Sequence, residues 1–156
     1  MKVFDIETDG FNPTKIHCLS YSDEAGSVTT LTDYDEMREF ITTSKCLVGH
    51  HIIGYDLPVI KKLLGVEPKG VVIDTLPLSW YLNFNRVKHG LESYGDDYGI
   101  PKPKVLDWSE QPLYVYINRC EEDVKINFAL WSDLERKLNR LYDGEYMPVV
   151  RYLNFK

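Results

Sequence analysis

Phe4-Asp5-Ile6-Glu7-Thr8-Asp9-Gly10 lies near the head of a 156-residue chain, and its alternation decides how the fold begins. Lys2–Ile6 reads as a strand, in which residues two apart share a face. Phe4 and Ile6 then enter a core, while Asp5 and Glu7 point together to the other side. Two adjacent carboxylates repel unless a proton or a cation neutralises them. A divalent metal is the natural occupant, because hard cations take oxygen ligands. By itself the D-x-E pattern is common on solvated strands, so the acids elsewhere in the chain decide between the two. Outward from this stretch, Lys15–Tyr21 and Ser27–Leu31 read as two further strands. Ser22–Gly26 between them has turn chemistry, so the three are expected to form an antiparallel meander.

Beyond the meander, Thr32 or Asp33 caps an expected helix over Tyr34–Ile41. Cys46–Gly49 is a short apolar run and reads as a buried strand. A helix is expected over Tyr55–Leu64, stopped by Gly65. Val71–Ile73 is a second apolar stretch, leading into Leu76–Leu82, and Leu91–Tyr98 carries a helical pattern ended by Gly99. Pro101–Pro103 reads as a loop. The longest periodic pattern runs from Pro112 to Leu141, with Leu113, Ile117, Cys120, Val124, Trp131, Leu134 and Leu138 at helical spacing and Gly144 as its stop. The order predicts one α/β domain over 1–156 with a mixed sheet. There is no internal repeat and no low-complexity segment.

Composition narrows the class. The chain is 44% hydrophobic and 27% charged, as expected of a globular domain. With 18 basic and 24 acidic residues its net charge is −6, which argues against a broad basic face for duplex binding. It leaves room for an enzyme that grips one end of a nucleic acid through metal ions. No apolar run has the length of a membrane span, and the opening residues lack the plan of a signal peptide, so a cytoplasmic protein is expected. Cys18, Cys46 and Cys120 are odd in number and far apart. They are expected to be reduced, buried thiols rather than disulfides or a zinc site.

Two more acids join Asp5 and Glu7. Asp56 lies in Gly49-His50-His51-Ile52-Ile53-Gly54-Tyr55-Asp56-Leu57-Pro58, at a helix start. Asp123 lies in Arg119-Cys120-Glu121-Glu122-Asp123-Val124, inside the long helix. Asp is a poor mid-helix residue, and its apolar neighbours Cys120 and Val124 turn this one inward.

These three segments, in this order, resemble the three exonuclease motifs of the DnaQ-like (DEDD) 3′–5′ exonucleases. Ile73-Asp74-Thr75-Leu76 and His89-Gly90-Leu91-Glu92-Ser93-Tyr94-Gly95 sharpen the match, which looks most like the proofreading domain of phage family A DNA polymerases. The resemblance implies a ribonuclease H-like fold: a mixed five-stranded sheet, its first three strands antiparallel, flanked by helices. It implies that Asp5, Glu7, Asp56 and Asp123 hold two Mg²⁺ or Mn²⁺ ions. Asp5 would bridge both, Glu7 and Asp123 would hold the first, and Asp56 would act largely through water. The implied reaction hydrolyses DNA 3′ ends, preferably single-stranded, to nucleoside 5′-monophosphates. The implied partners are a single-stranded DNA 3′ end and a DNA polymerase domain or subunit, with 143–156 as the start of a link to it. The host cytoplasm is the expected location if a phage encodes the chain.

One position departs from the pattern. The family has a Tyr four residues, or a His five residues, before the last Asp, where it orients the attacking water. Here those positions are Arg119 and Asn118, and Arg cannot serve as a base. One reading lets the metal activate the water while Arg119 binds the scissile phosphate. A second gives the role to Tyr116, which is also expected to contact the substrate and lies on the same helix face but about 10 Å from Asp123 by helical rise. A third makes the domain slow or selectively tuned, and in a fourth Arg119 is only a solvated helix residue. Phe11 stands where the family often has an apolar wedge against terminal bases, and otherwise reads as a core residue after a turn. Thr8 is expected near the terminal nucleotide through its backbone, and His51 replaces a substrate-contacting Asn. His89 reads as a helix-entry residue, and Lys102 and Lys104 as solvated lysines or phosphate contacts. Two alternatives to DNA proofreading stay open: a module that binds nucleic acid or a polymerase with weak or no cleavage, and an RNA exonuclease on the same fold.

Overall fold

The computed structural model describes residues 1–102 and 111–141. The expectations for Pro103, Lys104, Gly144 and 143–156 lie outside them. Among the described residues five strands and five helices succeed one another in chain order: β1 (Lys2–Thr8), β2 (Ile16–Ser22), β3 (Val28–Leu31), α1 (Tyr34–Thr43), β4 (Cys46–Gly49), α2 (Asp56–Leu64), β5 (Val71–Asp74), α3 (Thr75–Leu82), α4 (Leu91–Tyr98) and α5 (Leu113–Leu141). The sheet order is β3-β2-β1-β4-β5. β1, β2 and β3 pair antiparallel, while β4 and β5 run parallel to β1. This is the mixed five-stranded sheet that the sequence led us to expect. Among the described residues, no helix is long and apolar enough to cross a membrane.

Local chemistry sets the boundaries. Asp33, rather than Thr32, caps α1, its carboxylate accepting from the backbone N–H groups of Asp35 and Glu36. Gly65 ends α2 in the left-handed conformation that glycine adopts at least cost. β1 runs past the expected Ile6 because Glu7 still pairs with Cys18, and after a bulge Thr8 pairs with Ile16. At Val71–Leu82, where the sequence named no clear element type, the structure forms β5 and then α3. The turn between them is made by Asp74, whose side chain accepts from Leu76 N–H.

Both faces of the sheet are covered. Phe4, Ile6, Leu19 and Leu47 pack with Met37 and Ile41 of α1 and Val59, Ile60 and Leu64 of α2. On the other face Val3, Val48 and Ile73 pack with Leu78 of α3, Leu91 and Tyr94 of α4, and Ile126, Leu130, Trp131 and Leu134 of α5. The long helix buries Tyr116, Cys120, Asp123, Val124 and Asn127 in its first half. Leu113, expected on the buried face, is 46% exposed instead. It opens the helix, a turn ahead of the part that reaches the sheet.

The sheet splits where the site lies. β1 and β4 pair only at Lys2–Leu47 and Val3–Val48, and β4 stops at Gly49. The chain turns sharply there: a Cβ on Gly49 would lie 2.0 Å from Ile52 Cγ2. Beyond this turn the outer half of β1 has no strand beside it on that edge, and the start of α2 moves into the gap.

Candidate active site

Asp5 and Glu7 arrive on the α5-facing side of β1, Asp123 from α5, and Asp56 as the first residue of α2. Asp5, Glu7 and Asp123 each offer an atom able to bind a metal, all within 4.8 Å of one another. Asp56 is buried beside them and lines, with Asp5 and Asp123, a cleft of about 300 Å³. The expected acids therefore meet, three as a tight cluster and Asp56 on the adjoining wall.

Their electrostatics are those of a site built for cations. Burial, and then the charges of Asp56, Asp123 and Glu7, hold the Asp5 carboxyl far above its ordinary range. Burial and Asp123 push Glu7 up to about 8. Burial raises Asp56 to about 7, although the N–H groups of Asp56 and Ile6 pull it back. Asp123 Oδ1 is buried and has no hydrogen-bond partner among the described residues. A buried carboxylate oxygen without a donor is costly, and a divalent ion removes that cost. With an all-oxygen donor set, the residues fit Mg²⁺ or Mn²⁺.

Two cations brace the cluster. Lys102 Nζ lies 2.8 Å from Asp123 Oδ2. Arg119 Nε lies 3.4 Å from the same oxygen and 3.7 Å from Glu7 Oε1. Arg119 is only 15% exposed, so it is not the solvated helix residue of the fourth reading. The surface loop lysine Lys102 likewise turns out to belong to the site. Cys120, one turn from Asp123, directs its thiol at the Asp5 carbonyl oxygen, 3.2 Å away.

Tyr116 does not join the cleft. It is 1% exposed and stacks on His17 with ring centroids 3.8 Å apart. Its hydroxyl accepts from Gln111 N–H. Sharing a helix face with Arg119 and Asp123 brings it onto the sheet, because that same face packs on β2. The water-orienting and substrate-binding roles expected of Tyr116 are therefore withdrawn. Phe11, by contrast, is fully exposed, which removes the core alternative. Asp9 holds the loop that carries it, accepting from the N–H groups of Thr14 and Lys15, and its bonds to Thr14 and Lys15 draw its carboxyl down to about 2. Thr8 is buried, with Oγ1 2.6 Å from Tyr55 Oη, and Tyr55 also donates to the Gly10 carbonyl.

His51 is exposed at the mouth of the cleft with φ of 63°, a left-handed conformation rare outside glycine. Asp74 holds it there: its two carboxylate oxygens accept from His51 N–H and Ile53 N–H, at 2.8 and 3.1 Å. A Cβ at Gly54 would lie 2.5 Å from the His51 ring, so a larger residue there would turn the exposed ring aside. His50 is held by Thr75 Oγ1 at 2.9 Å, and burial lowers its pKa to about 4. His89 is buried, with Nδ1 against Ser79 and Nε2 against the Arg86 carbonyl, so it is more than a helix-entry residue. Nothing in the residue pattern assigned a role to Asp74, Tyr55 or His50. Asp74 lies in one of the matching motifs, but its part as a double anchor depends on a loop conformation that spacing does not reveal.

No family model matches the chain. It is 29% identical over 121 residues to the PolC-type DNA polymerase III of Staphylococcus haemolyticus, a match that takes in 70% of this chain and 8% of that polymerase. Among solved structures it is similar to Brucella melitensis NrnC, at 20% identity and a TM-score of 0.73, covering 99% of this chain and 80% of that one. NrnC has also been solved with bound Mg²⁺ and bound to pGG. Escherichia coli RNase D, described as an exoribonuclease involved in structured RNA processing, matches with 17% identity and a TM-score of 0.66, over 97% of this chain and 43% of that one. At these identities the structural likeness establishes a shared fold, the ribonuclease H-like mixed sheet with flanking helices.

Proposed function

We propose that the chain is a metal-dependent 3′–5′ exonuclease that hydrolyses single-stranded DNA ends to nucleoside 5′-monophosphates, as a proofreading activity for a DNA polymerase. The observation that carries this reading is the cluster of Asp5, Glu7 and Asp123, with Asp56 beside it and Asp123 Oδ1 without a hydrogen-bond partner among the described residues. Asp5, Glu7 and Asp123 would hold Mg²⁺ or Mn²⁺, with Asp56 completing a two-ion site. Bound at these carboxylates, such ions would supply Lewis-acid activation of water and stabilisation of the leaving 3′-oxygen.

The protein's own groups do the rest. Arg119, fixed between Asp123 and Glu7, supplies a permanent positive charge at the edge of the cluster, where a scissile phosphate gathers negative charge. It leaves the attacking water to the metal, since a guanidinium takes no proton. Phe11 stacks against the terminal bases, a contact indifferent to sequence and suited to proofreading. The Tyr55–Thr8–Gly10 clamp holds the loop below it, and His51 offers a donor at the mouth.

The PolC-type relative supports DNA and a polymerase partner. A link to phage family A polymerases rests on the motif resemblance alone. The likeness to RNase D supports RNA as a second substrate reading. A cleavage time course on 5′-labelled single-stranded DNA, and on RNA of the same sequence, with Mg²⁺, Mn²⁺ or EDTA, tests these readings. A ladder shortening from the 3′ end, dependent on metal and absent in Asp5→Ala, is expected. Binding without cleavage would instead mark a module that has kept the site and lost the reaction.

A further inference from the structure

Helix α3 is apolar on every side, TLPLSWYL, yet only its inner face is covered. Leu78 and Ser79 are buried, while Trp80 is 58% and Tyr81 64% exposed. The connection after it continues the same exposed strip, with Phe84 at 84% and Val87 at 89%. A helix apolar all round is normally enclosed, and a contiguous exposed apolar patch marks a surface that meets something.

Charge and continuity indicate what it meets. From Thr75 to Leu91 there is no Asp or Glu, but there are Arg86, Lys88 and His89, in a chain of net charge −6. Arg86 is held by Asp97 and lies over the Tyr94 ring, which leaves Lys88 as the exposed cation of the strip. The strip also leads into the cleft. Trp80 stacks on His89 with ring centroids 4.2 Å apart and planes 18° apart. The next two residues, Gly90 and Leu91, line the cleft with Asp5, Asp56 and Asp123. Flat rings, a lysine and direct continuity with the acid site match a single-stranded nucleic acid, whose bases stack on aromatic side chains regardless of sequence.

We infer that Trp80, Tyr81, Phe84 and Lys88 form a stacking track that holds the nucleotides upstream of the 3′ end lying in the cleft. This rests on the nuclease reading and adds to it the path of the strand. The track makes affinity depend on strand length, because only a strand longer than the cleft reaches it.

Fluorescein-labelled oligothymidylates of two and eight nucleotides, titrated in EDTA and read by anisotropy, test the inference. The octamer is expected to bind the parent protein at least about tenfold more tightly than the dinucleotide. Tyr81→Ala combined with Phe84→Ala is expected to remove most of that gain, leaving the dinucleotide affinity and the melting temperature unchanged. A gain that survives in the double variant overturns the track while leaving the nuclease reading intact. A parent protein that is dimeric by sedimentation, with a monomeric double variant and an unchanged octamer affinity, overturns it in favour of a protein interface. Failure of the parent to bind either oligonucleotide in EDTA, together with no cleavage of the octamer once Mg²⁺ is added, removes both readings together.

Discussion

The acid cleft and the outer face of α3 break the ordinary arrangement of a globular protein in opposite directions. At the cleft, Glu7, Asp56 and Asp123 are buried, at 7%, 4% and 5% exposure. On α3 and the connection after it, Trp80, Tyr81, Phe84 and Val87 face solvent. Buried charges without full pairing and exposed aromatic rings both raise the free energy of the isolated chain. Such conflicts between local chemistry and environment gather where a protein meets a ligand. The two regions differ in how much of the fold depends on them. The acids are wedged between β1, α2 and α5, whereas the aromatic strip lies outside the core on a single helix and its following loop.

That difference can be tested from its strong end to its weak end. Asp5→Ala and Asp123→Ala are expected to lower cleavage by about a thousandfold or more, the scale of losing a principal electrostatic group. The melting temperature of Asp5→Ala in EDTA should equal or exceed the parent's, since it relieves repulsion. A collapse of the apo fold would mean that the acids are structural. In the packed face beside them, Leu130→Ala should cost about 2–5 kcal/mol in denaturant unfolding, as expected for a fully buried leucine. Phe84→Ala, on the bare strip, should stay within about 0.5 kcal/mol in the same experiment. A large loss at Phe84 would show that the strip belongs to the core after all.

The pH dependence sharpens the same contrast. The folded apo protein holds Glu7 near 8 and Asp56 near 7, against ordinary values of 4.5 and 3.8. Between these limits the folded state binds more protons than the unfolded one, so apo stability falls as pH rises from about 4 to about 8. Thermal melts in EDTA across that range should show the decline, and added Mg²⁺ should restore most stability at the alkaline end. A flat apo profile would mean that Lys102 and Arg119 already neutralise the acids. A further expected change concerns Arg119. Arg119→Tyr should still cleave, and loss of one cation from the acid cluster should tighten Mn²⁺ binding by about tenfold in calorimetry. Complete loss of cleavage would give Arg119 an essential role.

Much of the site was legible because its spacing is short and its residue types are costly. Asp5 and Glu7 share a strand face by the period of two, and Asp123 is a poor helix former placed between apolar neighbours. Asp56 could be placed only through the motif resemblance. Tyr116 was misread because helical spacing says which residues share a face, and not how far along that face the cleft extends. Lys102 and Asp74 carried weak signals or none. One reaches Asp123 from a loop, and the other anchors His51 in a backbone conformation that no residue preference predicts.

By itself the sequence determined most of the succession of strands and helices, the antiparallel meander and three of the acids, Asp5, Glu7 and Asp123. Those come from local periodicity and from the cost of particular side chains in particular elements. Only the tertiary structure decided that Asp56 comes in beside β1 past the end of β4, that Lys102 and Arg119 brace Asp123, and that the outer face of α3 stays bare. These depend on which surfaces meet across the fold, and burial and ion pairing between distant residues are settled by packing.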